Sequence, residues 1–442
     1  MLSFTSLPTE LQLKCLQQLD IATLKSCRLA SRDLARAGEA YLFQTVVLHF
    51  NEKSAEKFGC IVQHEHLKDH VKSILIDATE GAQNNEAGSS DASPDEDEAQ
   101  GSPLHHPDFN TMPWTTAIAQ LARFPVLSQV QLRFDAKCVY EPRLFGNPRQ
   151  GLAYRARYQK LFFAALADAP HVTDLTLHNW QDAILDVDVA RDRIQRLAVL
   201  IVTELDDTSP EHSILLPALH AGFRRLPEAL GRAGDQLTHL TLFADAPWGV
   251  WPFADVRRLR FPRLASLALG NWTVAHDWQV EWVLSHGASL EELVLDDVAI
   301  AHALWMCPEM AAANNWGHAE ETPPGAEIFR QYATRWSDVL PLFGERLARL
   351  KHFAMGHGVW RRGRMFEERY KLPARIEASR YITYYDGGAP CQWGGVAEEG
   401  DEHVDENGVV IKMDIPGEEQ DRRDAEALDA LLRKIETASR RA

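Results

Sequence analysis

The feature that most limits how this chain can fold is a short apolar pattern, LxxLxL, that returns along much of its length. It stands at Leu127, Val130 and Leu132, at Val172, Leu175 and Leu177, and at Ile194, Leu197 and Val199. It returns at Leu237, Leu240 and Leu242, at Leu264, Leu267 and Leu269, at Leu290, Leu293 and Leu295, and at Leu350, Phe353 and Met355. VKSILID, with Val71, Ile74 and Ile76, fits as its first instance. The second and third apolar residues lie two apart, which puts both on one face of an extended strand. Helical stretches are expected before three of these strands, over 154–169, 215–233 and 278–286. Strands that alternate with helical returns predict a mixed α/β fold with parallel strands.

Three successive starts, at 237, 264 and 290, are spaced by 27 and 26 residues. That spacing resembles leucine-rich repeats, and most of the other spacings are wider. The resemblance implies an irregular leucine-rich-repeat solenoid, in which parallel strands and helices stack into a curved array. The asparagine usual eight residues after the first leucine is absent, since Trp180, Asp245, Trp272 and Val298 hold that position. Asn179 and Asn271 stand one residue earlier, so a regular asparagine ladder is not expected. An ordinary α/β domain with a parallel sheet is the competing architecture.

The first forty-odd residues read differently. Pro8 suits the first turn of a helix, where its missing N–H would have had no partner. Leu11, Cys15, Leu16 and Leu19 then fall on one side of a helix, Asp20-Ile21-Ala22 interrupts the pattern, and two more short helices follow from about Leu24 and Arg32. About 45 residues bury too little surface to stand alone, so the apolar face needs a partner. LPTEL, the later leucines, CRLASRDL and LF resemble the F-box motif, with Leu7 and Pro8 as its Leu-Pro, Glu10 as its acidic residue, and Cys27, Arg28 and Arg32 as its later Cys/Arg positions. Two departures stand out: Cys15 replaces an isoleucine, and no tryptophan lies near Tyr41-Leu42-Phe43. The stretches at 278–300 and 332–356 are similar to F-box proteins of filamentous fungi.

The resemblance divides the chain into an F-box at 1–45, a repeat-like region at 46–388 and an acidic tail at 389–442. Within the second, 79–102 is low in apolar residues and carries Asp95-Glu96-Asp97-Glu98, which predicts a disordered acidic insertion. The tail is expected to end in a charged helix over 418–441, docked on the scaffold by Ala427, Leu428, Leu431, Leu432 and Ile435.

A net charge of −17 argues against general binding to nucleic acid or an anionic membrane. No apolar run approaches a membrane span and no signal peptide is evident, so a cytoplasmic or nuclear place is expected. Six cysteines, at 15, 27, 60, 138, 307 and 391, lack ligand spacing and predict neither a zinc site nor a disulfide framework.

No common catalytic motif is present, neither GxSxG, GxxxxGK[ST], GxGxxG after a strand nor HExxH. His64-Glu65-His66 and His105-His106 are surface histidines without diagnostic partners. Asp296-Asp297 are adjacent on an extended chain and point to opposite faces, so they are not read as a catalytic pair. Trp360, Arg361, Arg362 and Arg364 form the basic cluster suited to an acidic or phosphorylated target peptide, although pairing with the chain's own carboxylates is the competing account. Trp248, Trp251 and Trp272 fall by position in exposed loops, where tryptophan suits a binding hot spot, yet twelve tryptophans in a repeat fold are more often packing residues.

No enzyme activity, cofactor or metal is expected. The F-box resemblance implies a non-catalytic subunit that binds the Skp adaptor and, through it, the cullin of an SCF-type ubiquitin ligase. The repeat region would hold an unknown target protein for ubiquitination. Leu7, Pro8, Leu11, Leu16, Leu19 and Leu24 are the expected adaptor contacts, supported by Arg28. A repeat scaffold that takes no part in ubiquitin transfer is the other reading, and a hydrolase or transferase without a recognisable motif is a third.

Overall fold

The structure is a computed structural model and describes residues 7–79, 112–136, 150–181, 193–203, 221–232, 234–306, 308–314, 328–357, 372, 374–376, 380–384, 402–404, 410–412 and 414–440. The chain is mixed α/β with mostly parallel strands. It divides into two compact units, one of Met1–Ala136 with Pro142–His178 and one of Lys137–Glu141 with Asn179–Ala442.

The first unit opens with helices α1 (Thr9–Gln17), α2 (Ile21–Ala30) and α3 (Arg32–Leu42). The second starts earlier than the apolar pattern suggested. Asp20 caps it by accepting from the Thr23 N–H at 2.7 Å, so the residues that break the apolar spacing are the helix start. Then come β1 (Thr45–His49), α4 (Glu52–Gln63), α5 (Glu65–Lys68), β2 (Ser73–Asp77), α6 (Pro113–Ile118), β3 (Gln129–Arg133), α7 (Leu152–Ala167) and β4 (Asp174–Gln181).

Each of these strands lies parallel to the next. Val46, Ile74, Val130 and Leu175 share one register position, and Leu48, Ile76, Leu132 and Leu177 share another. All eight are buried, so the second and third apolar residues of the pattern form two ladders of core. Arg155, fully buried on α7, closes the far end. It donates to the carbonyls of Gln150 (3.2 Å) and Asp135 (2.7 Å), and its guanidinium lies over Phe134 at 5.3 Å.

The second unit contains β5 (Arg196–Val202), α8 (Ala221–Arg232), β6 (His239–Trp248), β7 (Ser266–Val274), α9 (Asp277–Leu284), β8 (Glu292–Asp296) and β9 (Ala299–Met306). It continues through α10 (Pro308–Ala313), β10 (Ile328–Gln331), α11 (Trp336–Arg346), β11 (His352–Gly356), β12 (Tyr381–Tyr384), β13 (Glu402–Val404), β14 (Val410–Lys412) and α12 (Glu418–Ser439). Leu197, Leu240, Leu267, Leu293 and Phe353 form one buried ladder, and Val199, Leu242, Leu269, Leu295 and Met355 the next. The opposite face is also closed at Ala268, Val294 and Ala354, against which Leu372 packs. Strand β9 runs outside this series, parallel to β7 and β12 and antiparallel to β10.

Trp248 and Trp272 are not loop residues. The strands that carry them run beyond the apolar pattern, and both indoles are buried. Asn271, at φ 53°, turns the chain so that Trp272 faces inward, where it packs between Trp248 and Trp282 at 6.1 and 6.0 Å. Asn179 in β4 and Asp297 just past β8 hold the same left-handed conformation at the same place in the pattern, two residues after its last apolar position. Asn271 Nδ2 also donates to the Ala244 carbonyl of β6 at 2.7 Å. Among the described residues no helix is long and apolar enough to cross a membrane.

Candidate functional site

The residues that read as a docking motif lie on α1 to α3. Pro8 precedes α1, and its carbonyl accepts from the N–H groups of Leu11 and Gln12 at 3.0 and 3.1 Å, which starts the helix. The Gln12 side chain reaches back to the Leu7 carbonyl at 2.7 Å and holds the Leu-Pro step against the first turn. Ser31 caps α3 by accepting from the Asp33 N–H at 3.2 Å. Hydrogen bonds from the Thr23 N–H and the Thr23 side chain also keep the Asp20 carboxyl below its usual pKa, so the cap stays ionised at neutral pH.

Packing sorts the apolar residues into two sets. Leu16 and Leu24 are buried, and Gly38 of α3 brings its backbone near Leu24, where a Cβ would sit 3.9 Å from the Leu24 methyl. These two leucines therefore join the helices to one another and are not offered to a partner. Leu11, Ile21 and Leu29 are exposed by 47%, 58% and 89%, Leu7 and Leu19 are half-buried, and Pro8 is exposed. Arg28 is exposed and its guanidinium lies over the Phe43 ring at 5.8 Å, which ties α2 to the end of α3. Ile21 and Leu29 are the surface apolar residues that the apolar spacing missed, and the signal for Leu29 is a leucine that falls off the stripe set by Leu24.

Neither family models nor curated proteins match this chain. What the site offers is capped short helices, an internal leucine pair, and large apolar side chains turned to solvent.

The other expected site, Trp360, Arg361, Arg362 and Arg364, lies outside the described residues, as do His105, His106 and nearly all of the acidic insertion. Cys15, Cys27 and Cys60 are free thiols. Among the described residues no group of three or more His, Cys, Asp and Glu is placed to hold a metal ion. Asp296 is fully buried, while Asp297, across the turn, pairs with His357, so the adjacent carboxylates do face apart.

Proposed function

We propose that this chain is the substrate-receptor subunit of an SCF-type cullin ubiquitin ligase, with its N-terminal helices as an F-box that binds the Skp adaptor. The observation that carries the reading is the exposure of Leu11 on α1 and of Ile21 and Leu29 on α2, in a set of three short helices whose interior is already filled by Leu16 and Leu24. Apolar side chains projecting from helices in this way suit a helix-in-groove contact. The remainder is read as an irregular leucine-rich-repeat solenoid that holds the target. In support of that, the LxxLxL strands pair in parallel within their own unit, and the pattern's last two apolar positions build the core ladders. The protein would catalyse nothing itself and would act by raising the effective concentration of a target lysine beside the ubiquitin carrier.

Co-purification tests this. The tagged chain is expected to recover both Skp adaptor and cullin, and a Leu7→Ala, Pro8→Ala, Leu11→Ala variant to lose both while remaining folded. Recovery of the adaptor without cullin would mark a scaffold outside ubiquitin transfer. Recovery of neither by the folded wild type would remove the F-box reading.

A further inference from the structure

A second surface of the first unit lies apart from α1. An open groove of about 870 Å³ runs between α2 and α3 on one side and α4 on the other. Thr45, Val46 and Val47 all line it. Successive side chains of a strand point to opposite faces, so a groove that touches three in a row follows the strand's backbone edge. Among the described residues that edge is unpaired, because β1 ends the strand order and bonds to β2 alone.

The phase of the ladder says which groups face the groove. The Gln44 carbonyl accepts from the Ser73 N–H at 3.0 Å. In a parallel pair alternate residues bond to one neighbour, so Val46 and Leu48 turn toward β2, and Thr45 and Val47 direct N–H and C=O outward. The His49 N–H, which would follow, is already bound to the Ser54 hydroxyl at 2.9 Å. An unpaired edge of this kind is a template for another strand.

The groove's walls specify what that strand should carry. Val46 and Phe58 give it a buried apolar floor and Ile61 a half-buried one. Lys25, Arg28 and Lys57 stand exposed around it, and among the described residues none of the three joins an ion pair. The single carboxylate present, Glu39, lies 4.0 Å from His66. In a chain of net charge −17, three uncompensated cations beside an open strand edge reverse the overall field.

We propose that this groove receives an extended acidic segment of a partner protein, which adds to β1 as a further strand. The segment's main chain pairs with Thr45 and Val47, its alternate apolar side chains settle on Val46, Phe58 and Ile61, and its carboxylates meet Lys25, Arg28 and Lys57. Five strand residues extend about 17 Å, which sets the length of the segment held. Leu7, Pro8 and Leu11 take no part in the groove, whereas Ile21, Arg28 and Leu29 of α2 line it, so the two surfaces share α2 and differ at β1 and α4.

The test uses the full chain and fluorescence anisotropy with a labelled eight-residue peptide of alternating valine and glutamate, beside its valine–lysine counterpart. The acidic peptide is expected to bind and the basic one not to. Lys57→Glu, on the exposed side of α4, is expected to weaken binding at least tenfold while adaptor recovery is unchanged. Val47→Pro removes an outward N–H without touching the β1–β2 bonds and is expected to weaken it similarly. If that proline lowers the melting temperature, Lys57→Glu decides. In the complex, hydrogen exchange at the Thr45 and Val47 amides should slow at least tenfold. Absence of binding by the acidic peptide, equal binding of both peptides, or binding that leaves those two amides unprotected would each overturn the proposal.

Discussion

The guanidinium of Arg380 meets the carboxylate of Asp424 at 3.2 Å, and both side chains are buried. Asp424 lies on α12 and also accepts from the Tyr381 hydroxyl at 2.8 Å and from the Ser337 N–H at 2.9 Å. The last is in the first turn of α11, where a carboxylate is favoured by the exposed N–H groups. One buried anion thus joins the terminal helix to two other elements. Asp424→Ala takes the buried partner from Arg380, leaving it the exposed Asp421, and is expected to cost about 3 kcal/mol. Chemical denaturation measures it, and faster hydrogen exchange in α12 than in β7 would show that the helix detaches first.

Leu16 and Leu11 lie five residues apart and should behave in opposite ways. Leu16→Ala opens a cavity among the helices and is expected to cost about 2–5 kcal/mol. Leu11→Ala removes a half-exposed side chain, with a stability change within about 0.5 kcal/mol, yet it should reduce adaptor recovery. Thermal melts run beside the co-purification separate the two effects.

At Asn271 the backbone and the side chain matter separately. Asn271→Ala loses the bond to Ala244 and forces a Cβ-bearing residue without a local polar contact into the left-handed region, for about 2 kcal/mol in total. Asn271→Gly loses only the bond and should cost about half as much. Equal losses in urea denaturation would show that conformation contributes nothing there.

Gly270 faces the ring of Phe243, and a methyl at 270 would run into that ring. Gly270→Ala is therefore expected to cost about 1–3 kcal/mol by overpacking. Phe243→Leu, combined with it, should recover part of the loss, a coupling that a double-mutant cycle on melting curves will read.

Stability should fall as pH drops from 7 toward 4. Burial, reinforced by Arg133, pushes the His178 pKa down to about 4, and burial beside Arg335 does the same to His302. The unfolded chain protonates these rings near their usual 6.5 while the folded chain resists, so their stabilisation is complete above that value and is lost between 6.5 and 4. His178→Gln should flatten the dependence of melting temperature on pH across this interval, and an unchanged slope would exclude the ring as its source.

Much of the scaffold was legible because two positions of LxxLxL must share a strand face, and the pairings follow from it: Val130 lies beside Leu175 and Leu267 beside Leu293. Less was legible where burial covers both faces. Strand β9, AIAHALWM, is buried at every residue and so carries no alternation to read. The inward turns of Trp248 and Trp272 were hidden because they depend on strands that outrun the pattern and, at 271, on one left-handed residue. On the N-terminal helices the motif residues could be named, but which leucines face inward could not, since Gly38 and the helix crossing decide that. Asp424 was masked for the opposite reason: it is a charge on the stripe that Leu428 and Leu431 continue, and only its partners make that place tolerable.

Several of the parallel strands join near neighbours in sequence. Val46 and Ile74 are 28 residues apart, Leu240 and Leu267 27, and Leu267 and Leu293 26. Within these stretches no rung waits for a distant part of the chain. As the polypeptide leaves the ribosome, the strands of these stretches can each lay themselves on the one already formed, whereas β11 returns past β9 and β10 to reach β8. Such vectorial growth exposes one fresh edge at a time and keeps the loop that must close for each addition short.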